Sequence, residues 1–101
     1  MIGILGYGEV GKAVAQFYED PLIKDLNQDD GLVNLEVLNI CIPFTQSFCD
    51  DIAHEIISSK APLTIIHSTV PPGTTRYINE NIPDEYEVAH SPVRGVHPHL
   101  Y

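Results

Sequence analysis

Gly6, Gly8 and Gly11 spell G-x-G-x-x-G directly behind the apolar run Met1-Ile2-Gly3-Ile4-Leu5, and Asp25 stands nineteen residues after Gly6. The first glycine suits a tight strand-to-helix turn. The second removes a Cβ where a pyrophosphate would approach the backbone, and the third lets a helix lie close to a sheet. The residues that follow have the matching period. Val10, Ala13, Val14 and Phe17 fall at i, i+3, i+4 and i+7, the apolar face of a helix that begins near Glu9 or Val10 and is closed by Pro21. The start of such a helix turns unsatisfied N–H groups toward an anion without any basic side chain, so Lys12 is not required. The expected ligand is a dinucleotide; a glycine-rich turn that binds nothing is the plainer alternative.

Residues 22–26 predict a second strand ending near Asp25. Residues 27–34 are polar and acidic around Gly31, a connection where a fuller fold would carry another helix and strand. Val37-Leu38-Asn39-Ile40-Cys41-Ile42 is apolar with one polar interruption, as in a buried parallel strand, and Pro43 ends it. Thr45 or Ser47 is placed to cap the next helix, with Asp50 and Asp51 in its first turn. Its buried stripe is expected to be Cys49, Ile52, Ala53, Ile56 and Ile57, and Pro62 stops it. A strand at residues 63–67, the loop Ser68-Thr69-Val70-Pro71-Pro72-Gly73, a short helix with Tyr77, Ile78 and Ile82 inward as far as Pro83, and a strand at residues 86–90 complete the pattern. Strands alternate with helices and no two-residue hairpin signal intervenes. The predicted fold is α/β, a Rossmann-like three-layer sandwich, truncated or minimal, on a mostly parallel sheet of four or five strands with residues 37–42 and 63–67 central.

A chain of 101 residues supports one domain. Residues 1–92 are assigned to a dinucleotide-binding domain and residues 93–101 to the start of a continuation or a tail. The pattern stops short of two full mononucleotide halves, so a fragment is expected, with uncovered apolar surface and a tendency to form a homo-oligomer. Fourteen acidic residues against five basic ones give a formal net charge of -9, which opposes binding to nucleic acid or to an anionic membrane surface. No apolar stretch reaches the roughly 20 residues of a membrane span. No basic segment with a cleavage site opens the chain, so a cytoplasmic location is expected. Cys41 in an apolar strand and Cys49 on an apolar helix face read as reduced core residues, a Cys41–Cys49 bridge or a reactive thiol being the alternatives.

In an open parallel sheet, ligands lie beyond the carboxyl ends of the strands. Residues 6–11, 25–27, 43–45 and 68–73 meet there. The predicted cofactor contacts are Gly6, Tyr7, Gly8, Glu9, Val10, Gly11, Asp25, Ile42, Pro43, Phe44, Ser68 and Thr69. A carboxylate at Asp25 accepts hydrogen bonds from the adenosine ribose and repels a 2′-phosphate, and no arginine follows in Leu26-Asn27-Gln28. NAD is therefore expected over NADP; a solvated acid at a strand end is the alternative. Ser68 and Thr69 also suit caps of the following helix. His67 or His90 suits proton transfer near neutral pH. His67, His90, His97 and His99 lack the ligand spacing of a zinc site, and no metal is assigned.

Taken together, residues 1–11 and Ile65-Ile66-His67-Ser68-Thr69-Val70-Pro71-Pro72-Gly73-Thr74-Thr75 resemble the N-terminal NAD-binding domain of the UDP-glucose and GDP-mannose dehydrogenases, and the resemblance extends to about residue 92. It implies that residues 40–44 pass beside the cofactor and that Thr69 lies near the nicotinamide and helps to position a catalytic water. Thr69 and His90 are the catalytic candidates. Where the family carries a Pro-Glu pair, this chain reads Ser91-Pro92-Val93-Arg94, with Val93 at the glutamate position. The family's nucleophilic cysteine has no counterpart, since Cys41 and Cys49 match neither its context nor its position. The chain is accordingly expected to bind NAD without oxidising a sugar nucleotide by itself. His90-Ser91-Pro92-Val93-Arg94-Gly95 also resembles the substrate loop of hydroxyacid and prephenate dehydrogenases, with Arg94 suited to hold a substrate carboxylate bidentately. A domain of that second type, or a stand-alone nucleotide-binding or redox-sensing module, is the alternative.

Overall fold

Short apolar strands separated by helices give the sheet its direction. The computed structural model describes residues 1–91; the roles given above to Val93, Arg94, His97 and His99 lie outside them. Six strands are formed among the described residues: β1 (Ile2–Leu5), β2 (Leu22–Asp25), β3 (Gln28–Asp29), β4 (Val37–Ile40), β5 (Leu63–Ile66) and β6 (Glu87–His90). The helices are α1 (Glu9–Ala15), α2 (Phe48–Ser59) and α3 (Thr74–Glu80). The strand order is β3-β2-β1-β4-β5-β6, and every pairing is parallel except β2 with β3. The chain is thus α/β with a mostly parallel sheet of six strands. Its middle is the β1–β4 pair, with β5 displaced toward the β6 edge, in contrast to the expectation that residues 63–67 are central.

Register decides which face each side chain joins. Leu38 pairs with Thr64 and Thr64 with Val88, while Leu5, Ile40 and Ile66 lie in the next row. These rows pack with Phe48, Ile52 and Ile56 of α2 and Ile78 of α3 in one cluster. Ile4, Ile23, Asn39 and Ile65 alternate to the opposite face. Right-handed crossovers put α1, which steps from β1 to β2 in one direction, over that face, and α2 and α3, which step in the other direction, over the first.

The polar connection carries part of the core, which its composition does not announce. Asp29 and Gln28 turn back on β2 as a hairpin, with Asp30 Oδ2 accepting from the Ile23 N–H at 2.9 Å and Asp29 Oδ1 from the Gly31 N–H at 3.0 Å. Leu32 and Leu35, both buried, then cover the space left by Gly3, where a Cβ would lie 2.4 Å from Leu35 Cδ1. Two leucines do the covering expected of a helix.

Three helix-face assignments need correction. Phe17 is 84% exposed because α1 ends at Ala15 and the chain tightens into i→i−3 bonds, Phe17 N–H to Val14 O at 3.1 Å among them. That turn rotates the phenylalanine out of the helical period, and Pro21 lies well past the helix end. Ile57 and Tyr77 are also exposed. The buried stripe of α2 is Phe48, Ile52, Ile56 and Ser59, and that of α3 is Thr74 and Ile78. A left-handed Lys60 (φ 59°) donating its N–H to Ile56 O terminates α2 before Pro62.

Thr64 Oγ1 is buried without a hydrogen-bond partner among the described residues. Replacing Thr64 with valine removes an unsatisfied hydroxyl at nearly constant shape, so the variant is expected to be more stable by about 1 kcal/mol. Thermal unfolding would register a rise in Tm; a fall would mean that the hydroxyl has a partner in solution.

Candidate functional site

At the carboxyl edge the ladders run one residue beyond the strands: Gly6 N–H donates to Lys24 O and Cys41 N–H to Leu5 O, both at 2.8 Å, and His67 N–H to Ile40 O at 2.9 Å. The three following loops are thereby held side by side at the point where the strand order reverses. Ligands bind at such a switch point in open parallel sheets.

The three motif glycines stand in different surroundings. Gly6 has φ +97°, and a Cβ there would lie 2.7 Å from the Cys41 carbonyl oxygen. At Gly11 a Cβ would lie 2.0 Å from the Gly6 carbonyl oxygen, so this glycine is what allows α1 to start against the turn. Gly8 is exposed, and a Cβ there would meet nothing within 4 Å. Packing requires glycine at Gly6 and Gly11 but not at Gly8.

Beside the turn lies a cleft of about 290 Å³ lined by Val10, Cys41, Ile42, Pro43, Phe44, Ser68 and Thr69. Six of these are among the predicted contacts; Cys41 was not. The Ser68 hydroxyl donates to the Ile42 carbonyl and ties the loop after β5 to the loop after β4. Phe44 rests on the buried Phe48 ring, with centroids 5.2 Å apart, so the rim is anchored in the core. Burial pushes the Cys41 thiol up to about 12; it is an apolar wall and no nucleophile at neutral pH. Cys49 is likewise raised by burial and by Asp50, and both cysteines are free.

The other predicted contacts flank the cleft. Tyr7 is half-buried, with Lys12 Nζ 5.6 Å from its ring centroid, and Glu9 is exposed on the first turn of α1. Asp25 ends β2 and is exposed. Its neighbour Lys24 is engaged elsewhere, donating to Glu55 Oε1 at 2.6 Å, a bond that raises the lysine's pKa. No group of three His, Cys, Asp or Glu among the described residues is arranged to hold a metal.

The two histidines have defined tautomers. Asn39 is fully buried and its Nδ2 donates to Gly3 O at 3.3 Å, leaving Oδ1 to face His67 Nε2 at 2.9 Å. An amide oxygen only accepts, so His67 carries a proton on Nε2. His90 Nε2 likewise donates to Ser68 O at 3.0 Å. Among the described residues, Thr69 lines the cleft beside the turn, and His90 lines a second one of about 610 Å³ with residues 70–76. The polar interruption at Asn39 was the sequence signal for the His67 contact.

Burial, and to a smaller extent His90, lowers the His67 pKa below its ordinary 6.5. The unfolded chain then binds more protons than the folded chain as pH drops below that value. His67 therefore contributes stability that is present at neutral pH and is lost as pH falls through about 6.5 toward the folded-state value. Tm is expected to drop between pH 7.5 and pH 5.5, and to drop less in His67→Gln. Equal drops would mean that His67 is not the group responsible.

No helix among the described residues is long and apolar enough to cross a membrane. Compared with known proteins, the chain matches no family model, and no significantly similar curated protein or solved structure is found.

Proposed function

We propose that this chain is a Rossmann-like dinucleotide-binding domain, a three-layer sandwich that takes NAD in preference to NADP and serves as the cofactor-binding part of a dehydrogenase. The observation that carries the reading is Gly8: its bare backbone faces open space at the switch point, where the packing of the described residues gives no reason for a glycine. A ligand that approaches the backbone closely supplies the reason. The N–H groups of the turn over residues 6–11 suit the pyrophosphate, the exposed Asp25 suits the adenosine ribose, and the cleft formed by residues 41–44 with Ser68 and Thr69 suits an aromatic or ribose portion beside an apolar wall.

When bound, the nicotinamide supplies hydride chemistry. The chain's own residues bind and orient. Resemblance to the nucleotide-sugar dehydrogenases supports an alcohol as the group oxidised, but a Cys41 thiol pushed up to about 12 offers no covalent step, so the reading is of binding without turnover by this chain alone. Equilibrium titrations with NAD and NADP test the cofactor assignment. NAD is expected to bind more tightly, and Asp25→Ala to erase roughly a tenfold preference, the scale of a hydrogen bond to a charged group. Equal binding of the two by the parent chain would remove Asp25 from the account.

A further inference from the structure

We propose that the second cleft, formed by residues 70–76 and His90, is a carboxylate-binding site in which Arg76 and His90 hold a small organic acid. The cleft is about 610 Å³, within the range of small-molecule sites, and none of the described residues that line it is acidic. That is unusual for a chain whose formal charge is -9. Arg76 lines the cleft on the exposed side of α3 and makes no ion pair among the described residues. The guanidinium has a planar fork that matches a carboxylate.

His90 faces the same space with its orientation set. Its Nε2–H is committed to Ser68 O, which leaves Nδ1 as the ring nitrogen for a ligand; in an imidazolium both ring nitrogens donate. His67 interacts with it electrostatically; burial holds the His67 pKa below its ordinary value, so it adds no competing positive charge near pH 7. The Thr74 hydroxyl is spent on Pro71 O at 2.7 Å and fixes the loop, while Val70 packs on the core and gives the cleft a floor.

The two clefts adjoin along the chain, the first ending at Thr69 and the second beginning at Val70. On the dinucleotide reading, on which this placement rests, the acid would lie next to the cofactor as its substrate, which makes the substrate class an organic anion. The site itself is tested without cofactor. Ring resonances of His90, assigned with His90→Asn, would be followed while glycolate or the neutral glycolamide is added to the full chain. Glycolate is expected to shift them saturably and glycolamide not, with affinity at least about tenfold weaker in Arg76→Gln. Arg76 is exposed, so that variant keeps the fold. An absent shift, an equal response to glycolamide, or an unchanged affinity in Arg76→Gln would overturn the site. Glycolate binding in a chain that fails to bind NAD would keep the site and remove only its placement beside a cofactor.

Discussion

Gly11→Ala is expected to lower the Tm of this chain by roughly 12–24 °C, although alanine is the better helix former. Alanine in α1 gains about 1 kcal/mol over glycine. Against this, its Cβ would lie 2.0 Å from the Gly6 carbonyl oxygen, a backbone atom fixed by the turn and by the neighbouring ladder. Relieving the overlap means lifting α1 off β1, at a cost of at least about 3 kcal/mol net of that gain. For a domain of this size each kcal/mol is worth about 4–8 °C. An unchanged Tm would mean that α1 starts further from the turn than the structure has it.

Gly8→Val is expected to do the reverse: the fold survives and dinucleotide binding weakens by roughly a hundredfold or more, the upper end of what an unrelieved overlap costs. A Cβ at Gly8 meets no atom of the described residues within 4 Å, and φ -80° with ψ -155° is extended backbone that does not require glycine. The loss to stability is confined to a poorer N-cap, up to about 1 kcal/mol. Circular dichroism and calorimetry on the same sample separate the two effects. If Gly8→Val binds NAD as the parent does, the pyrophosphate does not sit over this turn.

Much of the sheet was legible because its strands are short, apolar and bounded by glycine or proline, as at Gly6, Pro43 and Pro62. Local helix endings were not. Phe17 fits the period of α1 on paper, but the turn tightens after Ala15, and Lys60 ends α2 with a left-handed residue that no propensity favours. The β2–β3 hairpin has no glycine in its turn, and it was missed together with the burial of Leu32 and Leu35, whose partner is the empty side of Gly3. At the site, Pro43, Phe44, Ser68 and Thr69 were readable from strand ends, since parallel order brings them to one edge, while Ile42 came with the family resemblance and Cys41 was missed. Arg76 was not readable. Its position on the lining of the second cleft depends on where α3 sits, a property of packing and not of any motif.

An amide chemical-shift map of the full chain titrated with NAD tests whether the dinucleotide lies at the carboxyl edge of the sheet. Saturable shifts are expected, centred on Gly6, Gly8 and Gly11, on residues 41–44 and on Ser68 and Thr69, with Asp25 included. Absence of saturable binding, or shifts centred away from the carboxyl edge of the sheet, would contradict that placement.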